Sequence, residues 1–109
     1  MPSYLLQVSY TPAAWAAMLK HPQDRAEAVR KPVEKLGGKI TASWLAFGDH
    51  DLIAVLEMPD NASAAAFAIA AAAGGSLKNV KTTPLLSIAE GVEAMKKAGA
   101  SGYKPVTEK

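Results

Sequence analysis

The chain has 109 residues, of which 50% are hydrophobic and 20% charged, a balance typical of one soluble globular domain rather than of a disordered segment. Its 12 basic and 10 acidic residues leave a net charge of +2 without any basic block, so the composition gives no indication of nucleic-acid binding. Cysteine is absent, which excludes disulfides, thiolate metal sites and cysteine nucleophiles.

A strand followed by an interrupted helix is predicted at the start of the chain. Residues 4–10 place large apolar side chains at every second position, as in a half-buried strand. Thr11-Pro12 has the residue types of a helix N-cap and first turn, and Pro22 interrupts the helix because the residue before a proline avoids helical dihedrals. The second helical part, residues 23–36, carries an apolar stripe at helical spacing and ends at Gly37-Gly38.

The centre of the chain predicts a β-hairpin, around which the other elements are organised. Two runs of strand-forming residues, 38–47 and 52–59, flank the polar segment Gly48-Asp49-His50-Asp51. Glycine at the start of a tight turn supplies a backbone angle that other residues avoid, so we expect a positive φ at Gly48.

A helix and an edge strand are predicted after the hairpin. Asp60 is placed to cap a helix that is almost entirely alanine, residues 62–73. Residues 77–87 have the pattern of a strand, and Pro84 indicates that this strand lies at a sheet edge, because proline cannot donate a hydrogen bond to a neighbouring strand.

The order of these elements, β-α-β-β-α-β, predicts a ferredoxin-like α+β fold with a four-stranded antiparallel sheet and its helices on one face. A capping box at residues 87–90 adds a short C-terminal helix that ends near residue 99. We therefore predict a single domain over residues 1–99, followed by a flexible tail over residues 100–109.

Several motifs, taken in order, resemble the GYD domain family. They are Pro2-Ser3-Tyr4, Leu36-Gly37-Gly38-Lys39, the segment from Phe47 to Asp60, and the strand from Asn79 to Leu85. The resemblance covers residues 2–90 and implies a dimeric α+β barrel fold in a small bacterial or archaeal protein, in a family generally of unassigned function. The family is named for a glycine, a tyrosine and an aspartate in the hairpin; this chain has Gly48, His50 and Asp51 there, with histidine in the tyrosine position.

The candidate catalytic residues are His50 and Asp51, in the motif loop Gly48-Asp49-His50-Asp51. An imidazole flanked by carboxylates can act as a general base, since nearby negative charge favours its protonated form. The alternative, which we prefer, is a structural turn whose aspartates bond to backbone amides, because no other residues converge on the loop. The sequence contains no metal-ligand spacing and no cofactor motif, so we expect neither a metal nor a cofactor.

One face of the predicted sheet is left uncovered by the helices, and it is too apolar to face water alone. Strand alternation places Trp44 on the helix side. The residues assigned to the open face are Leu5, Gln7, Ser9, Thr41, Ser43, Leu45, Phe47, Ile53, Val55 and Glu57. The expected cover is a second copy of the chain laid sheet to sheet, which makes the protein a homo-oligomer with a small cavity between the sheets.

Three functions are compatible with this sequence. The preferred one is a binding or accessory module that holds a small molecule in the cavity between sheets. The second is a cofactor-independent enzyme that uses the hairpin loop, and the third is a structural assembly protein. None of them involves nucleic acid or a membrane; with no apolar tract long enough to cross a bilayer and no secretory leader pattern, we expect a cytoplasmic protein.

Overall fold

Four strands and four helices make up a computed structural model that describes residues 1–107. In chain order they are β1 (Ser3–Tyr10), α1 (Pro12–Lys20), α2 (Arg25–Lys35), β2 (Lys39–Leu45), β3 (Leu52–Glu57), α3 (Asn61–Ala73), β4 (Leu77–Leu85) and α4 (Ile88–Gly99). With α1 and α2 as the two parts of the first crossover, the order is β-α-β-β-α-β plus a terminal helix, and the predicted α+β, ferredoxin-like fold is confirmed. Residues 100–107 contain no helix or strand, and the last two residues of the predicted tail lie outside the described residues.

All strand pairs in the sheet are antiparallel, and the strand order is β2-β3-β1-β4. The two central strands are β1 and β3, which pair Leu6 with Ala54. β4 lies at one edge, as Pro84 predicted, and β2 lies at the other.

Local capping signals place the N-caps of α1, α3 and α4 at the residues that the sequence predicted, whereas α2 begins at Arg25, after Asp24, rather than near residue 23. Thr11, Asp60 and Ser87 each accept a hydrogen bond from the backbone at the start of α1, α3 and α4, and Glu90 completes the capping box of α4. Gly37, which follows α2, has a φ of +86°, the left-handed conformation that ends many helices.

The core lies between the sheet and the helices. Its buried residues are Tyr4, Leu6, Val8, Tyr10, Val33, Ala54, Leu56, Met58, Ala64 and Phe67. The strand positions in this set alternate along β1 and β3, so the same face of both central strands meets α2 and α3.

A β-bulge in β2 changes which side chains face the helices. Ile40 pairs with Leu56, but the next paired residue, Ala42, pairs with Val55. Thr41 is therefore an extra residue in β2, and its hydroxyl donates to the carbonyl oxygen of Val55 at 3.0 Å. An extra residue shifts the alternation by one position from that point onward.

Three predicted face assignments are wrong for this reason. Trp44 pairs with Ile53 and lies on the open face of the sheet, where 58% of its surface is exposed. Ser43 and Leu45 lie across from residues on the helix-facing side of β3, so they are not on the open face. Alternation counted along the sequence makes no allowance for the extra residue at Thr41.

The other residues predicted for the open face have different surroundings. The residues that lie on that face as predicted are Leu5, Gln7, Ile53, Val55 and Glu57. Ser9 is buried under the hairpin loop, and Phe47 lies in the loop after β2, fully exposed.

α4 projects away from the rest of the molecule. None of its residues is buried, and the described chain measures 61 × 32 × 22 Å. Its radius of gyration is 17.6 Å, whereas a compact domain of this length has a radius of about 13 Å. None of the helices within residues 1–107, α4 included, has the length and apolar character needed to cross a membrane.

Candidate functional site

The hairpin loop with the candidate catalytic residues is attached to the end of β1 by three hydrogen bonds. The carboxylate of Asp51 accepts a hydrogen bond from the backbone N–H of Tyr10 at 2.8 Å. The backbone N–H of Asp51 donates to the carbonyl oxygen of Val8, also at 2.8 Å. Ser9 Oγ donates to the carbonyl oxygen of Asp49 at 3.2 Å. The pairing of β1 with β3 ends at Val8 and Leu52, so the Asp51 carboxylate gives the N–H of Tyr10 a partner beyond the end of that pairing.

Gly48 does not have a positive φ, so that prediction is wrong. Among residues 1–107, positive φ values occur at Gly37, Gly75 and Gly102. The connection between β2 and β3 spans residues 46–51, which is longer than the two-residue turns that require left-handed backbone angles. The longer loop reverses the chain without such an angle at Gly48.

His50 is half-buried, and its Nδ1 is a buried atom without a hydrogen-bond partner among the described residues. The carboxylate of Asp51 bonds to the backbone of β1 rather than to this imidazole. The structure therefore does not bring the two candidate catalytic side chains together as a hydrogen-bonded pair. The described residues also contain no cluster of histidine and carboxylate side chains able to hold a metal ion.

Two cavities lie on the helix side of the sheet and share Tyr10, Arg25 and Leu52 as lining residues. One has a volume of about 440 Å³ and lies between α1, the start of α2 and the end of β2. The other has a volume of about 340 Å³ and lies between α2 and α3. We call them together the Tyr10 cleft; neither is lined by His50 or Asp51.

The cleft exists because α2 and α3 lie over opposite edges of the sheet. α2 packs chiefly along β2, and α3 packs along β4. α3 contributes Ala70 and Ala71 to the gap, and such short side chains do not fill it. The walls are apolar for most of their area, and they include Trp15, Met18, Leu45, Val29 and Phe67.

Tyr10 and Arg25 are the polar groups that both cavities share. Burial raises the pKa of Tyr10, and the nearby Arg25 guanidinium opposes that rise, so the phenol is neutral at pH 7 and can donate a hydrogen bond. The Tyr10 ring packs edge to face against Trp15, with ring centroids 5.4 Å apart.

Arg25 has no carboxylate partner within 4.0 Å in the part of the chain that the structure describes. Its Nη1 donates to the side-chain oxygen of Gln23 at 3.0 Å. The neighbouring Asp24 is the N-cap of α2, and its carboxylate accepts a hydrogen bond from the backbone N–H of Glu27. The positive charge of Arg25 is therefore free to meet an anionic ligand at the cleft.

Sequence reasoning missed this cleft because its residues come from separate elements. The alanine-rich sequence of α3 indicated close packing of this helix. The surface that its short side chains leave unfilled depends on where α2 lies. The interruption at Pro22, which lets Arg25 begin a new helix beside Tyr10, was the second available signal.

Comparison with known proteins gives a family match for this chain. No curated protein and no solved structure matches the chain significantly. The chain does match the GYD domain over residues 4–98, which include all four strands except the first residue of β1. The chain therefore belongs to the GYD domain family.

Proposed function

We propose that this protein is a homo-oligomeric binding module for a small molecule that combines an apolar body with one anionic group. The observation that supports it is the Arg25 guanidinium, without a carboxylate partner among residues 1–107, at an apolar cleft that also presents the Tyr10 phenol. Ligand pockets are commonly apolar cavities with a few polar groups that orient the ligand.

The cleft accounts for both parts of this ligand. A guanidinium binds a carboxylate through two parallel hydrogen bonds, and a neutral phenol can donate a further one. Trp15 and Leu52 offer apolar contact to the body of the ligand. At about 440 Å³ the larger cavity falls in the usual range for small-molecule sites, roughly 300–1,000 Å³.

The oligomer is proposed from the open face of the sheet. Leu5, Val55, Ile53 and Trp44 lie together there, because Leu5 pairs with Val55 and Trp44 pairs with Ile53. Large aromatic residues are enriched in protein interfaces. A second copy laid on this face would cover it with an identical surface, as in most symmetric dimers. The cavity predicted between the sheets would form only in that dimer and stays a prediction.

Ligand binding is tested with 3-phenylpropanoate as the probe, followed by calorimetry or by NMR shifts. We expect saturable binding that is at least about tenfold weaker in Arg25→Gln, since the charge-assisted hydrogen bonds are lost. Arg30→Gln is the matched control, because Arg30 lies on the same helix, pairs with Glu27 and does not line the cleft. The neutral amide of the probe should bind weakly. Equal affinity in wild type and Arg25→Gln would contradict the proposal.

Oligomerisation is tested by sedimentation at tens of micromolar protein. The wild type should exceed the 11.4 kDa of one chain, and Trp44→Asp should return a monomer, because an unpaired charge is costly to bury. Leu45→Asp is the control: it changes the adjacent residue, which lies on the helix-facing side of β2. A monomeric wild type, or dissociation of both variants alike, would refute the assignment of this face.

A further inference from the structure

The smaller cavity of the Tyr10 cleft is a groove between α2 and α3, which we call the α2–α3 groove. Its floor is the helix-facing side of the sheet, where Leu6, Val8 and Tyr10 follow one another at alternate positions of β1. Among the residues of the described chain that line this groove, Arg25 is the one with a charged side chain. An occupant therefore meets apolar side chains along most of the groove and a positive charge at Arg25.

The two walls of the groove present residues at helical spacing. α2 contributes Arg25, Val29 and Pro32, which share one side of that helix. α3 contributes Phe67 and Ala71, again four positions apart. Both walls therefore run along the groove rather than across it.

Arg25 lies at one end of the groove. Together with Tyr10 it also lines the larger cavity, so the two residues lie where the two cavities meet. β4 begins shortly after α3 ends, and its first residue, Leu77, pairs with Tyr10. The C-terminal end of α3 is therefore at the Tyr10 end of the groove, and Phe67 lies further along it.

The length of the groove sets the length of the ligand that it can hold. From Arg25 to Pro32 the axis of α2 advances about 10 Å, and from Tyr10 to Leu6 the strand β1 advances roughly 14 Å. An extended carbon chain advances roughly 1.3 Å for each C–C bond of about 1.5 Å. The groove therefore has room for a chain of about eight to ten carbon atoms.

We propose that the α2–α3 groove binds the chain of an unbranched carboxylic acid of about eight to ten carbon atoms, with its carboxylate on Arg25. This inference rests on the proposed function, and it names the class of ligand and the part of the cleft that holds its apolar body.

Charge complementarity supports this orientation of the ligand. Arg25 bonds to Gln23 and has no carboxylate within 4.0 Å among residues 1–107. Asp24 lines the larger cavity but not the groove, so the groove itself adds no negative charge that would repel a carboxylate.

The polarity of the lining favours an acyl chain over water. The groove has a volume of about 340 Å³, which corresponds to roughly eleven waters at about 30 Å³ each. A buried water needs two to four polar partners. Besides Tyr10 and Arg25, Ser76 is the one residue with a polar side chain that lines the groove within the described chain. Displacement of such poorly held water by an apolar group increases affinity.

The first experiment measures the affinity of the wild type for butanoate, hexanoate, octanoate, decanoate and dodecanoate by calorimetry. We expect the affinity to rise about fourfold for each added methylene up to octanoate, and to level off between decanoate and dodecanoate, where the chain becomes longer than the groove. Octanamide, which is neutral, should bind at least about tenfold more weakly than octanoate. Equal affinity for butanoate and octanoate, or a rise by the same factor up to dodecanoate, would overturn the inference.

The second experiment fills the groove from α3. Ala71 lines the groove, whereas the adjacent Ala72 lines neither cavity, so Ala72→Leu is the matched control for Ala71→Leu. We expect Ala71→Leu to weaken octanoate binding at least about tenfold, because the longer side chain occupies the space of the acyl chain. Its affinity for 3-phenylpropanoate should stay within about twofold of the wild type, since the ring of this probe is expected beside Trp15 in the larger cavity. Equal octanoate affinity in folded Ala71→Leu and Ala72→Leu, with folding checked by circular dichroism, would contradict the inference.

The outcomes separate this inference from the proposed function. If 3-phenylpropanoate binds and depends on Arg25, but octanoate binds no more tightly than butanoate, the assignment of the groove is wrong and the proposed function stands. If neither 3-phenylpropanoate nor octanoate binds, both are wrong. The chain-length series uses the wild type alone, so it decides the inference even if Ala71→Leu does not fold.

Discussion

Replacement of Asp51 by alanine would test whether the hairpin loop is held by its carboxylate. In the native structure this carboxylate accepts the backbone N–H of Tyr10 at 2.8 Å. Tyr10 is only 5% exposed, so in the variant this N–H would have little access to water. The loop would lose the side-chain bond that attaches it to the end of β1.

The expected loss in the free energy of unfolding is about 2 kcal/mol. Hydrogen bonds to charged groups contribute roughly 1.5–3 kcal/mol, and a buried donor left without a partner costs about 1–3 kcal/mol. Asp51→Asn keeps an acceptor oxygen but removes the charge, so we expect about half of that loss.

Urea denaturation at one fixed protein concentration measures this loss, since the stability of an oligomer depends on concentration. With a slope of roughly 1–3 kcal/mol per molar urea, the midpoint should fall by about 1 M. Asp49→Ala is the matched control. Its carboxylate makes no hydrogen bond among the described residues, and its carbonyl oxygen would still accept from Ser9. An unchanged midpoint in Asp51→Ala, or an equal fall in Asp49→Ala, would refute the reasoning.

Three further predictions follow from the backbone, the loop and the cleft. Gly38→Ala should lower the free energy of unfolding by about 1–3 kcal/mol, because the new Cβ would lie 2.5 Å from the carbonyl oxygen of Glu57. In Gly48→Ala the new Cβ would meet no neighbouring atom, so this control should change the free energy of unfolding by less than about 0.5 kcal/mol. Thermal unfolding of the two variants compares the two losses. His50→Tyr, which introduces the residue of the family motif, should leave both the urea midpoint and the affinity for 3-phenylpropanoate unchanged, and weaker binding would show that the loop acts on the cleft. Burial raises the pKa of Tyr10, so the stability that comes from its neutral phenol is complete below the ordinary value near 10 and is lost as the pH rises through the higher folded-state pKa. The urea midpoint should therefore fall less between pH 9 and pH 11 in Tyr10→Phe than in wild type, and an equal fall in both would contradict this assignment.

The helix ends and the order of elements were predictable because short-range interactions determine them. Thr11, Asp60 and Ser87 each cap a helix through a backbone N–H three residues away. The break between α1 and α2 follows from a steric clash between neighbouring residues at Pro22. Such signals need no knowledge of the rest of the fold.

The family was also recognisable from sequence, since its motifs lie in order along almost the whole chain. The match over residues 4–98 confirms this resemblance. The role of Asp51 was predictable in kind, because aspartates in loops commonly bond to backbone amides. Its partner, Tyr10, is 41 positions away, and only the pairing of β1 with β3 brings the two together.

Tertiary structure decided the sheet faces, the angle at Gly48 and the cleft. The extra residue at Thr41 shifts β2 by one position relative to β3, and a one-residue shift moves every later side chain to the other face. The cleft depends on the separation of α2 and α3 over opposite edges of the sheet. By itself, the sequence determined the order of the elements and the N-caps of α1, α3 and α4, because those signals act over a few residues. Which faces meet depended on register and helix placement, which arise only when distant strands pair and the helices pack on the sheet.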